Sequence, residues 1–213
     1  MSELAIVGGI WMSLLYSATV MPASVWAIQL TVSRGWLCGL ACSLGLALGQ
    51  LPWCVAAALI LFEFSGLWQT VDLGLRALAA GFLLWMALRS ARAPAVRALR
   101  VETESGTWAL VKSSFWRSLV MPWRLPLWAG LIVSVSVHLT GPGWELAPLF
   151  GFGALVGQLG WFAHFVLIAG LFGRRVPEDI SLRSINKLRL LATVVLAGLA
   201  LIILAPVAFP PAP

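Results

Sequence analysis

The sequence predicts an all-α integral membrane fold, with six transmembrane helices arranged as two inverted three-helix repeats. Three observations predict it. Hydrophobic residues make up 61% of the chain and charged residues 10%, against roughly 25% charged in a soluble domain. The apolar residues gather into six long runs separated by short polar segments. Short segments of the first half recur, in the same order, in the second.

The six runs lie at about 4–30, 36–62, 73–89, 119–139, 147–172 and 188–208. Most approach or exceed the roughly 20 residues a helix needs to cross hydrocarbon. The first is expected to be a retained helix. Met1-Ser2-Glu3 has no basic residue, and the apolar stretch behind it is too long for the core of a cleaved signal. One connection is long. The stretch 91–117 holds Arg92, Pro94, Arg97, Arg100, Glu102, Glu104, Lys112 and Arg117. The expected organisation is a first repeat over 1–90, a cytoplasmic basic linker over 91–117, and a second repeat over 118–213.

The formal charge is +6, and its placement alternates. Arg34 follows the first run, Arg89 to Arg117 lie between the third and fourth, and Arg174, Arg175, Arg183, Lys187 and Arg189 lie between the fifth and sixth. The other connections carry Glu3, Glu63, Asp72 and Glu145, with Arg76 nearby. Lysine and arginine concentrate in cytoplasmic loops, so both termini are expected outside the cytoplasm. The basic excess reads as topology. No basic run is interleaved with aromatics, which argues against a nucleic-acid partner. Twelve tryptophans against one tyrosine suit a chain with many membrane-interface positions.

Three segments repeat. Val20-Met21-Pro22 recurs as Val120-Met121-Pro122, Gly49-Gln50-Leu51-Pro52-Trp53 as Gly157-Gln158-Leu159-Gly160-Trp161, and Leu75-Arg76-Ala77-Leu78-Ala79 as Leu188-Arg189-Leu190-Leu191-Ala192. Each half holds an odd number of runs, so the second enters the membrane upside down. Inverted repeats of this kind place a transport site near mid-membrane. Pro22 and Pro122 each delete a backbone hydrogen bond and are expected to break their helices. Matched breaks point to a substrate site; two kinks that only shape the bundle are the bland alternative.

These features resemble the lysine exporter (LysE/RhtB) family of bacterial amino-acid efflux transporters, over most of the chain. The resemblance rests on the first-run proline, the glycine-rich Ser43-Leu44-Gly45-Leu46-Ala47-Leu48-Gly49, Leu84-Trp85-Met86-Ala87-Leu88-Arg89, the proline element opening the fourth run, and the final helix from Arg183 to Leu204. It implies six helices in two inverted repeats, oligomers, and a multi-pass place in the bacterial cytoplasmic (inner) membrane. The chain departs from the family in both motifs. Pro-Gly-Pro is replaced by Pro22-Ala23-Ser24, and Asn-Pro-Lys by Met121-Pro122-Trp123 with Arg124 one residue late.

Polar residues inside the runs supply the candidate site. Gln50 and Gln158 are repeat partners in apolar surroundings. They either bind substrate or bond across helices as glue worth about 0.6–2 kcal/mol. Arg124 pairs with a substrate carboxylate or snorkels to the interface, and its place near the start of a run favours snorkelling. Asp72 and Arg76 are spaced for a helical ion pair that Glu63 can join; a structural cluster at the outer face is favoured over a gate or proton relay. His164 lies mid-run and titrates near neutral pH, but a lone histidine there more often packs. Cys38, Cys42 and Cys54 read as small buried hydrophobes.

The expected function is secondary transport. Amino acids or related small zwitterionic metabolites would be exported by alternating access, along a path lined by Met21, Pro22, Ser24, Gln50, Met121, Pro122, Arg124 and Gln158. Glu63, Asp72, Arg76 and His164 are the candidates for proton transfer or gating. The alternative is a non-transporting scaffold subunit of a larger membrane complex. The expected partners are the lipid bilayer, a small-molecule substrate, and a second copy or another membrane protein. Nothing points to an enzyme: no phosphate-binding loop and no catalytic triad. Neither a cofactor nor a metal is expected, because no ligand cluster has the right spacing.

Overall fold

The computed structural model describes residues 2–19, 21–63, 68–92, 106–134, 142–172 and 178–208. Among them the chain is entirely helical, without a strand. The helices are α1 Ser2–Thr19, α2 Met21–Arg34, α3 Trp36–Glu63, α4 Trp68–Arg92, α5 Thr107–Leu119, α6 Arg124–Ser134, α7 Gly143–Phe172 and α8 Glu178–Ala208. Two stretches, Trp36–Glu63 and Gly143–Leu171, are long and apolar enough to cross a membrane. Shorter apolar stretches run over Glu3–Ser17, Arg124–Val133 and Thr193–Ala205.

The run expected at 4–30 is helical over Ser2–Thr19 and Met21–Arg34. The break expected beside Pro22 falls at position 20, outside the described residues. The run expected at 119–139 is broken. It begins earlier, as α5, turns at Val120–Trp123, and resumes as α6. The stretch 107–117, expected as linker, is therefore helical. Its two faces explain the difference. Leu110, Val111, Ser114 and Ser118 are buried on one side, while Lys112 and Arg117 are exposed on the other. Those two cations dilute the apolar signal but lie over Trp108 at 5.7 Å and Trp26 at 4.8 Å.

Helix α1 packs along α7, α5 along α3, α3 antiparallel along α7 from Trp36 beside Gly170 to Glu63 beside Gly143, and α4 pairs with α8. Glycine sets the first two contacts. Gly45 and Gly49 of α3 face the backbone oxygens of Val111 and Phe115 in α5. Gly153 and Gly157 of α7 face those of Ile6 and Ile10 in α1. A methyl group on any of the four would strike a carbonyl, so the small-xxx-small spacing is what lets the backbones approach. Gly35, at φ 98°, ends α2 in the left-handed conformation glycine tolerates and turns the chain straight into α3.

The apolar core lies in two clusters. One joins Tyr16, Cys54, Phe62, Trp128, Leu131, Phe150 and Ala154. The other joins Ala27, Leu30, Cys42, Leu46, Leu110, Phe162 and Val166. Along α3 and α7 they occupy opposite ends. The segments 47–53 and 155–161 lie between them.

Candidate functional site between the two central helices

Gln50 is the middle residue of α3 and Gln158 the middle of α7, each about 21 Å from its helix ends at 1.5 Å per residue. Halfway along the antiparallel pair, Gln158 Nε2 donates to Gln50 Oε1 at 3.1 Å, and both side chains are buried. One amide bond leaves half of each side chain over. Gln50 Nε2 and Gln158 Oε1 have no hydrogen-bond partner among the described residues. A buried amide group in that condition costs about 1–3 kcal/mol.

Arg124 opens α6 just after the Val120–Trp123 turn and is only 2% exposed. The snorkelling expected of it does not occur. Its Nη1 donates to Ser118 Oγ, and its Nη2 to Met121 Sδ at 3.4 Å. Ser118 Oγ in turn donates to the Leu46 carbonyl at 2.7 Å, one turn before Gln50, and its side chain lies against Gly49. Arg124, Ser118, Gln50 and Gln158 thus form one polar seam between the two apolar clusters. No carboxylate pairs with Arg124 among the described residues.

Aromatic side chains close the seam on the side of the first cluster. Tyr16 stacks on Trp128 with ring centres 4.4 Å apart and planes within 7°. Trp128 is one turn after Arg124. Tyr16 lies in electrostatic range of Arg124 and Cys54. Trp128 Nε1 and Ser17 Oγ are buried without a hydrogen-bond partner among the described residues.

Two tryptophans then tie the central helices to the runs that carry the repeated prolines. Trp161 Nε1 donates to Ser24 Oγ at 3.3 Å, in α2. Trp53 Nε1 donates to the Leu119 carbonyl at 3.0 Å, at the end of α5. Each follows its glutamine by three residues. Each reaches the other half of the chain.

Of the expected path, Ser24, Gln50, Met121, Arg124 and Gln158 lie at or beside this seam. Pro122 is an exposed turn residue. Met21 and Pro22 open α2, but their side chains lie outside the described residues. The expected gating residues are elsewhere. Glu63 accepts from the Gly143 amide at 3.2 Å, at the start of α7. Arg76 donates to the Val133 carbonyl near the end of α6 at 3.3 Å. The side chain of Asp72 lies outside the described residues. His164 is exposed and packs edge-on to Trp161 at 5.3 Å, away from the seam. Sequence reasoning missed Tyr16, Trp53, Ser118, Trp128 and Trp161. Only the tryptophans at 53 and 161 carried a signal, as part of the repeated Gly-Gln-Leu-x-Trp segment.

No known protein family, curated protein or solved structure matches the chain.

Proposed function

We propose that the chain is a six-span membrane protein built of two inverted halves, α1–α4 and α5–α8. In this reading it is a secondary transporter that carries amino acids or related small metabolites bearing a carboxylate out across the bacterial inner membrane. The observation that carries this reading is the buried Arg124. A charge inside a membrane bundle is costly and marks a functional site; among the described residues no carboxylate pairs with this one. It stands at the Val120–Trp123 break, on the same polar seam as the glutamine pair.

The matched halves support the inverted arrangement. α1 on α7 corresponds to α5 on α3, Gly153 and Gly157 to Gly45 and Gly49, and Gln158 to Gln50. Trp161 on Ser24 answers Trp53 on Leu119. The basic segments then face the cytoplasm, and each apolar cluster covers the seam from one side. Alternating access is the release of one cover at a time, by rocking one half against the other. The resemblance to the lysine exporter family points the same way.

Efflux from proteoliposomes preloaded with the twenty amino acids tests the proposal, with and without a pH gradient. Protein-dependent loss of a subset, abolished by Pro122→Ala at unchanged insertion, is the expected result. No loss from folded, inserted protein, with stable copurification of another membrane protein, would replace the carrier by the scaffold reading.

A further inference from the structure

We infer that the indole N–H of Trp128 and the guanidinium of Arg124 together hold the carboxylate of the substrate. The inference rests on the carrier reading for the presence of a substrate, and gives a binding role to a residue that reading does not use.

Trp128 is fully buried, and its ring is held on two sides. Tyr16 stacks on it with ring centres 4.4 Å apart, and Phe150 meets it edge-on at 6.5 Å. The ring therefore has little freedom to turn its N–H toward another partner. That N–H can only donate, and it has no acceptor among the described residues. A buried indole N–H normally finds a partner. One left alone costs free energy that an arriving acceptor restores.

Arg124 stands one turn before Trp128 on α6, at the i, i+4 spacing that puts two side chains on one helix face. Long side chains lean toward the N-terminus of their helix, so the indole lies over the turn that carries Arg124. Tyr16 links the two, because it stacks on Trp128 and lies in electrostatic range of Arg124. The guanidinium is itself 2% exposed and carries five N–H groups in a planar fork. Its acceptors among the described residues are the Ser118 hydroxyl and the Met121 thioether. Both are neutral, and a thioether accepts weakly.

Two neighbouring donor groups, one of them charged, match an acceptor with two oxygens and a negative charge. A carboxylate has that form. One oxygen takes guanidinium N–H groups and the other takes the indole N–H. Hydrogen bonds to an ionised acceptor are roughly twice as strong as neutral ones, so the indole adds to the affinity as well as fixing the orientation. Gln158 Oε1, a buried acceptor without a partner among the described residues, is left for N–H groups elsewhere on the ligand. A buried water would satisfy the indole without any ligand; affinity measured with and without the N–H separates the two.

The test is equilibrium binding of the twenty radiolabelled amino acids and of propionate to the purified full-length protein in lipid nanodiscs. At least one is expected to bind, and the tightest is carried forward. Trp128→Phe keeps an aromatic ring on Tyr16 and removes the N–H. It should weaken that ligand by about ten- to a hundredfold, the value of a hydrogen bond to a charged group. Replacing Trp128 by 3-benzothienylalanine, a bicycle of the same shape with sulfur in place of the N–H, should do the same and serves if the phenylalanine variant does not fold. Phe150→Leu disturbs the packing of the same ring and keeps the N–H. It should lower the melting temperature but leave affinity within about threefold of the parent. Undiminished affinity in a folded Trp128 variant, or a loss in Phe150→Leu as large as in Trp128→Phe, would overturn the assignment and leave the carrier reading in place. Failure of every probe to bind the parent would overturn both. Binding with the expected pattern but no efflux in liposomes would remove the carrier and leave the carboxylate subsite standing.

Discussion

Replacing Gln50 and Gln158 with methionine, singly and together, separates glue from site. Each single change strands the other glutamine, which loses its one partner. The stranding costs about 1–3 kcal/mol. Measured interhelical hydrogen bonds in membrane bundles average about 0.6 and reach about 1.7 kcal/mol, so each single variant should lose about 1–2 kcal/mol. The double variant removes both amides, including the two groups that have no partner now. Methionine is near in volume and fills irregular gaps, so the pair should return to within about 1 kcal/mol of the parent. Reversible unfolding in mixed micelles, followed by circular dichroism, measures all three. The two single losses less that of the double give an expected coupling energy of about 1–4 kcal/mol. Additivity within about 0.3 kcal/mol would refute the pairing itself. Efflux measured on the same proteins reads the second half of the reasoning. The double variant should be folded and inactive, because a ligand loses the amide groups that face it. Full activity in the double variant would reduce the pair to glue.

Other positions make sharper structural tests. Gly153→Ala, aimed at the Ile6 carbonyl, should destabilise by about 1–3 kcal/mol; Gly81→Ala, with nothing within 4 Å, should stabilise by up to about 1 kcal/mol. Thermal melting of the two side by side checks the close α1–α7 approach. Trp53→Phe and Trp161→Phe each delete one indole donor and should each lower stability by about 0.5–1.5 kcal/mol. Both should also raise the accessibility of a cysteine placed at the seam; equal labelling before and after would show that the indoles hold nothing shut. His164→Ala should leave the pH profile of efflux unchanged, since the imidazole is exposed; a shifted profile would return it to the proton pathway.

Much of the local structure was legible because it depends on backbone chemistry and periodicity. A proline has no amide N–H to give a helix, so a break near Pro122 was legible from its position; Pro52 and Pro148 nevertheless sit inside α3 and α7 without ending them. A polar amide in an apolar helix has to find a partner, so Gln50 and Gln158 read as facing inward. The helix over Thr107–Leu119 was not legible as part of the bundle. Its exposed face carries Lys112 and Arg117, and a charge on one face lowers the average of a window without affecting the buried one.

The sequence by itself determined the helical class, the two long apolar helices, the break near Pro122, and the repetition that makes Gln50 and Gln158 counterparts. These follow from chain-local rules and from order along the chain. Tertiary structure alone decided that the counterparts meet, that Arg124 turns inward to Ser118 and Met121, and that His164 turns outward. It also brought Tyr16 onto Trp128 across more than a hundred residues. The physical reason is that an arginine after a turn has two low-energy homes, the interface and a polar seam. Only the seating of α6 against α3 and α4, with Gly130 close on Ala79, chooses between them.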